Sequence, residues 1–305
     1  HIPSLAHDPE NLGASDTTPL FLFGLAVFRR VTGEPTFLQA SAQKAVTWMR
    51  YQSPDDRVMV AHLPTTDWRD EHWVYGYGLY VNCLVHAYLR LYGMNDEAAE
   101  LAEMMNRLEL DGAPPDLSVQ EGLSVPSRPH YAAGSFKLYH DDRCDVLGNS
   151  LAILTGVASL SRAERLIDYV ESRCDVMRER GELLGQLPPC FFPYMQPGDA
   201  DWRVRYAIYN RPGEYHNGGV WPFVCGFYVA ACVAAGRFEL AESKLRALTQ
   251  LVKPWHENEC EWGFNEQIRA QTGAPIGRDW QTWSAAMFVY ACECVRTRST
   301  PYFGE

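Results

Sequence analysis

Three stretches of the sequence gather carboxylates, aromatic rings and hydrogen-bonding side chains at a density that suits a sugar. The first is Thr66-Asp67-Trp68-Arg69-Asp70-Glu71-His72-Trp73-Val74-Tyr75-Gly76-Tyr77, followed by an apolar helical run that carries Asn82. Indole faces stack on the CH groups of a pyranose, and acids and Arg bind its hydroxyls. A partly desolvated carboxyl group keeps its proton long enough to act as a general acid. The second is Arg211-Pro212-Gly213-Glu214-Tyr215-His216-Asn217-Gly218-Gly219-Val220-Trp221-Pro222. Its paired glycines are expected to open a helix and let a ligand approach the backbone, with Glu214, His216 and Asn217 at the helix mouth. A plain N-capped helix, with Asn217 as cap and Trp221 packed for structure, fits the same residues. The third is Glu261-Trp262-Gly263-Phe264-Asn265-Glu266-Gln267, then Thr272-Gly273 and Gln281-Thr282-Trp283-Ser284. Glu266 lies in an aromatic-bordered loop before a Gly turn, a suitable place for a base that activates water. Glu257, Glu259 and Glu261 compete with it, and a solvated loop glutamate accounts for any of them.

These stretches need a frame, and the periodicity supplies one. Amphipathic helical patterns recur in pairs: Asp16 to Val31 with Thr36 to Arg50, Gly78 to Tyr92 with Asp96 to Leu108, Leu147 to Ser159 with Arg162 to Cys174, and Gly218 to Ala235 with Glu239 to Val252. A fifth pair begins at Thr282, and the starts are roughly 60 to 70 residues apart. In the first pair, Gly33 ends one helix and Pro35 is expected to start the next. Each first helix is more apolar than its partner, as inner and outer rings would require. The loops between pairs, Val60 to Tyr77, Asp111 to Asp145, Pro188 to Asn217 and Pro254 to Gln281, hold most of the Trp, Tyr, His and acidic residues. Loops this long are usually functional. A toroid with its pocket at the loop ends of the inner helices fits this layout; a solenoid of helical pairs is the plainer alternative.

At 305 residues, with 47% hydrophobic and 12% aromatic residues, the chain can form one domain, 1–305, around one core and still line a pocket. A net charge of -11 without clustered Lys and Arg excludes a non-specific nucleic-acid surface. The apolar runs are too short or too interrupted to span a bilayer. The odd count of nine cysteines, with Cys83, Cys225, Cys232, Cys292 and Cys294 inside apolar helical runs, predicts reduced core thiols and a cytoplasmic location. No secretory leader is read at His1, and with no initiator Met an upstream piece is expected. No metal-binding spacing, phosphate loop or serine nucleophile context is present, so no metal and no cofactor are expected. A carbohydrate is the expected partner, and a homo-oligomer is compatible with the sequence.

The segments from Tyr215 to Pro222, Glu266 followed by Thr272-Gly273, and Gln281-Thr282-Trp283-Ser284 resemble the alkaline/neutral invertases and related inverting α-glycosidases. Asp145-Val146-Leu147-Gly148-Asn149 is similar to the Leu-Gly-Asn segment of the same group. These matches follow one another in the right order over about two thirds of the chain. The wider group includes trehalases and debranching-type glucosidases and shares an all-helical (α/α)6 toroid. Twelve helices make such a toroid; nine are read here, so the first helices are expected to be absent or short ones hidden in the loops.

The resemblance implies a metal-independent inverting hydrolase with one general acid and one general base. By position Glu266 matches the base. Trp68-Arg69-Asp70 resembles the Trp-x-Asp of the debranching-type relatives, which makes Asp70 the acid, with Asp67 as the alternative. Substrate contacts are then expected from Trp68, Arg69, Trp73, Tyr75, Asn82, Glu214, His216, Asn217, Trp221 and Gln281. Asn265-Glu266-Gln267 stands where the invertases carry a Pro-Glu-Tyr-Tyr-type run, so an α-glucoside, an α-mannoside or a small glycosylated metabolite all fit. A sugar epimerase or isomerase using His216 or His72, and a non-catalytic sugar-binding toroid, are the competing functions.

Overall fold

The computed structural model describes residues 14–54, 58–106, 122–125, 127–136, 139–253 and 261–303. The chain divides into two compact units, His1–Asp142 and Arg143–Glu305. Helices dominate both, and their bounds follow the expected pairs closely. Part of the expected second helix of the second pair, and Glu257, Glu259 and Cys260, lie outside the described residues.

The first unit holds α1 (Thr17–Thr32), α2 (Gln39–Arg50), α3 (Leu79–Leu91) and α4 (Asn95–Met105). Gly33 closes α1 in the left-handed conformation at φ 71° and donates its N–H to the Arg29 carbonyl, the stop read from the sequence. Pro35 does not start α2. A turn intervenes, in which Gln39 N–H bonds the Thr36 carbonyl, and Leu38 enters α2 at φ 52°. α3 is buried from Leu79 to Leu89, whereas α4 buries only the stripe Ala98, Leu101, Met104 and Met105. The expected asymmetry between first and second helices holds for this pair but not for α1, which buries only Pro19, Leu22 and Leu25. Two short strands, β1 (Tyr77–Gly78) and β2 (Ala132–Phe136), pair antiparallel with Tyr77 opposite Ser135.

The second unit begins within β3 (Tyr139–Asp145), which pairs antiparallel with β4 (Phe191–Phe192). Its helices are α5 (Val146–Leu154), α6 (Leu160–Glu179), the short α7 (Tyr206–Tyr209), α8 (Pro222–Ala234), α9 (Phe238–Val252) and α10 (Thr282–Thr297). The Asp145 carboxylate caps α5 by accepting from Gly148 N–H, and Ser159 caps α6 by accepting from Arg162 N–H. α8 packs against α5, α9 and α10 and is buried on nearly every side. Its outer neighbour α9 buries only Ala241, Lys244, Leu248 and Val252. Lys244 reaches inward to an ion pair with Glu171 at 2.6 Å and a bond to the Gln186 carbonyl, and Tyr228 donates to the same Glu171 at 2.8 Å. One buried charge thus ties α6, α8 and α9 together, with its partners in place.

Two expectations change. Strands occur in segments read as loops, because β2 and β3 carry no apolar alternation. α8 starts at Pro222, not at Gly218: Pro suits the first helical turn, and residues 214–220 form a turn with bridges Glu214 to Asn217 and Val220 to Ile268. Every described cysteine carries a free thiol. Among the described residues no helix is long and apolar enough to cross a membrane.

α8 and α10 approach closely at Gly226, where an added Cβ would lie 2.7 Å from the Met287 carbonyl oxygen and 2.8 Å from its Cβ. Gly226→Ala should therefore destabilise the fold by about 1–3 kcal/mol through overpacking. Gly24→Ala on α1 meets nothing within 4 Å and should stabilise by about 0.5–1 kcal/mol through helix propensity alone. Thermal melts of the two variants should move in opposite directions.

Candidate active site

In the first unit the Thr66–Tyr77 segment is anchored before it offers any chemistry. Ser15, just ahead of α1, donates its N–H and its hydroxyl to the Thr66 carbonyl at 2.5 and 2.9 Å. Asn82, fully buried on α3, accepts from Val60 N–H at 2.8 Å and donates to the Val60 and Gly78 carbonyls, each at 2.9 Å. The substrate contact expected of Asn82 is corrected accordingly: its amide clamps the loop backbone.

The two candidate acids now separate. Asp67 is buried, and Arg69 Nη2 meets its Oδ2 at 2.6 Å while Arg69 N–H donates to its Oδ1 at 2.7 Å. Burial alone would raise the Asp67 pKa, but the Arg69 guanidinium outweighs it and holds the carboxyl well below the usual range. A carboxylate kept ionised has no proton to donate. Asp70 is half-buried. Arg69, itself only 1% exposed, holds Asp67 and does not face solvent. Trp68 is half-buried and Trp73 exposed. Tyr75 lies edge-on to Phe136 and lines a cavity of about 300 Å³ with Ser15, Gln52, His62 and Thr66.

Asp16, absent from the sequence-based set, is buried close to the Asp67 charge. Burial, and then that charge, push its pKa up to about 6, while Tyr80 donates to its Oδ2 at 3.3 Å. Nothing in its position at a helix start announces this; the burial is tertiary.

In the second unit the Tyr215–Pro222 turn is held from inside. Asn217 accepts from Met195 N–H at 2.8 Å and donates to the Met195 and Asn210 carbonyls. It neither caps α8 nor presents its amide outward, which corrects both readings of it. Gly218 and Gly219 do serve close approach, but of protein: an added Cβ would lie 2.0 Å from the Tyr194 ring and 2.5 Å from Gln267 Oε1 respectively. His216 is 1% exposed and stacked on Trp221 at 5.4 Å, and Trp221, equally buried, donates its indole N–H to the Tyr215 carbonyl. These rings form the wall behind the turn. Glu214 is half-buried and paired with Arg269 Nε at 2.9 Å.

Glu266 differs from its competitors. Its N–H donates to the Arg278 carbonyl at 2.7 Å, and its Oε2 accepts from Arg278 N–H at 2.8 Å. Glu261 is exposed and paired at the surface with Lys253. Just after Glu266, the strands β5 (Gln267–Ile268) and β6 (Pro275–Ile276) form a hairpin, and Gln267 Oε1 accepts from Tyr215 N–H at 2.7 Å. Gln281 directly precedes α10, half-buried, and its N–H bonds the Phe264 carbonyl. Tyr215, Trp262, Phe264 and Trp280 all adopt positive φ, which bulky side chains avoid unless the surroundings enforce it. Such strain gathers at functional sites. Trp283 stacks on Phe223 at 4.5 Å and remains 38% exposed.

The family model for alkaline and neutral invertase matches residues 118–297, more than half of the chain. The chain belongs to that family. It is 30% identical over 158 residues to cytosolic invertase 1 of Oryza sativa subsp. japonica, a match covering 50% of this chain and 25% of that protein. To alkaline/neutral invertase E, chloroplastic, of Arabidopsis thaliana it is 28% identical over 173 residues, 55% of this chain and 26% of the other. The chain therefore spans about a quarter of the length of these relatives. Among solved structures it is similar to the GH63 mannosylglycerate hydrolase of Thermus thermophilus in complex with glucose. That match has a TM-score of 0.62 and 14% identity, over 91% of this chain and 75% of the other, and it shows a shared fold. The family member thus carries its candidate base inside the matched region and its candidate acid ahead of it.

The buried carboxyls of the first unit make a test. Asp16 has a folded-state pKa above the ordinary 3.8, so the folded chain holds this proton more tightly than the unfolded chain. Its contribution to stability is full below about pH 4 and is lost as pH rises through 6, a loss of about 3 kcal/mol. Asp16→Asn, which keeps an acceptor for Tyr80, should flatten the decline in urea-unfolding stability across that window. Asp67→Asn should destabilise at pH 7 by about 3–5 kcal/mol, because it removes the carboxylate that meets the buried Arg69 charge.

Proposed function

We propose that this family member is an inverting glycoside hydrolase that cleaves an α-linked glycoside, built as a single (α/α)6 toroid over 1–305. The observation that carries the reading is Glu266. It is a carboxylate that accepts a backbone hydrogen bond from Arg278, on a strained aromatic loop, inside the region that matches the invertase family. The exposed pairing of Glu261 and the ionised state of Asp67 support the choice of Glu266 as base and Asp70 as acid.

Asp70 would deliver its proton to the glycosidic oxygen as the bond from that oxygen to the anomeric carbon breaks. Water would form the new bond at the opposite face while Glu266 takes its proton. Inverting pairs stand about 6.5–9.5 Å apart, which leaves room for that water. Trp68, Trp73 and the half-exposed Trp283 are the rings available for stacking on the sugar, and Glu214 and Gln281 are available for its hydroxyls. The relatives are named invertases and the solved structure a mannosylglycerate hydrolase, so α-glucosides, sucrose among them, and α-mannosides are the substrates to screen. The isomerase alternative loses ground because His216 and His72 are both buried.

Glu266→Gln and Asp70→Asn should each lower kcat by at least about a thousandfold with the melting temperature retained. Near-normal turnover in either variant would remove that residue from its role. Proton NMR of the first product should show the β-anomer from an α-linked substrate; an α-anomer would exclude inversion.

A further inference from the structure

The β5–β6 hairpin returns the chain to the residue from which it set out. Gln267 pairs with Ile276 and Ile268 with Pro275, so Gly277 and Arg278 arrive beside Glu266. Gly277 stands at φ 84°, and an ideal Cβ on it would lie 2.3 Å from Glu266 Oε2, 2.8 Å from its Cβ and 2.9 Å from its carboxyl carbon. The next residue, Arg278, is the one whose N–H bonds that same Oε2.

We infer that Gly277 is a positioning residue for the general base: the volume left by its missing side chain is the seat of the Glu266 carboxylate, and Arg278 N–H fixes that carboxylate's direction. The inference rests on Glu266 being the base. Ordinary van der Waals contact begins at about 3.4 Å, so any side chain at 277 drives Oε2 away by roughly 1 Å, and a displacement of that size costs about a hundredfold in rate. A displacement confined to the Glu266 side chain lowers kcat and leaves KM.

Backbone strain alone predicts something different, and the chain contains its own control. Gly181 has φ 72°, close to that of Gly277, but a Cβ there meets nothing within 4 Å. Gly181→Ala carries the same left-handed strain without the clash. Gly277→Asn carries the clash with less strain than Gly277→Ala, since Asn tolerates this conformation.

The assay uses α-D-glucosyl fluoride and α-D-mannosyl fluoride. Fluoride departs without needing the general acid, so the rate reports the base. The expected result is turnover by the unaltered protein, none by Glu266→Gln, and a roughly 10- to 100-fold lower kcat with KM within about twofold for Gly277→Ala and Gly277→Asn. Gly181→Ala should match the unaltered protein. If Glu266→Gln is inactive while both Gly277 variants keep their kcat, the inference is overturned and the base stands. If the Gly277 variants lose melting temperature and raise KM as they lose kcat, Gly277 is merely structural and the inference is again overturned. Full activity of Glu266→Gln removes Glu266 as the base, and the inference with it, while the hydrolase reading stands; no turnover of either fluoride by the unaltered protein removes the hydrolase reading and the inference together.

Discussion

Among the described residues the long loops include buried stretches, such as 188–192 and 216–220, and buried backbone must find hydrogen-bond partners. Much else in the structure follows from that constraint. Helices satisfy their own backbone; a loop such as 60–77 or 188–220 cannot. Two asparagines solve the problem in the same way, one in each unit. Asn82 pairs with both the N–H and the carbonyl of Val60, and Asn217 pairs with both groups of Met195, as a neighbouring strand would. Gln267 meets Tyr215 N–H, and short strands take up further groups. Once the loops are pinned, their carboxylates have defined places.

The pinning also separates groups of similar type into different jobs. Asp67, Asp70 and Asp16 are the same side chain in three environments. Arg69 keeps Asp67 ionised; burial beside that charge keeps Asp16 protonated up to about pH 6. Asp70 stays partly open to solvent. In the second unit Glu261 and Glu266 divide in the same manner, one paired at the surface and one seated against Gly277 under a backbone N–H. Local geometry assigns the roles, and residue type only supplies the candidates.

The glycines carry a related lesson. Gly218 and Gly219 sit in a motif that suggests room for a ligand, yet what fills the room is the Tyr194 ring and the Gln267 amide; at Gly277 the Glu266 carboxylate takes the space. Close approach is needed by the scaffold that aims the site. Four aromatic residues held at positive φ around the same segments show how strongly the surroundings dictate the backbone there.

The sequence by itself determined the helices, the buried character of α3 and α8 beside their more exposed partners, the invertase-like motifs and Glu266 as the base to examine. Those are local properties: apolar period, capping residues, Gly and Pro punctuation, and the order of short segments along one chain. Only the tertiary structure decided that Asp67 is ionised, that Asn82 and Asn217 hold backbone, that His216 and Trp221 lie behind the turn, and that Gly277 seats a carboxylate. Each depends on burial or on a partner brought back by the fold, as Asn217 depends on Met195 and Glu266 on Arg278. Spacing along a chain records periodicity, but it does not record which side chain a loop will fold back to meet. β2 and β3 escaped notice for the same reason, since their residues carry no alternation and they are strands only because their partners lie beside them.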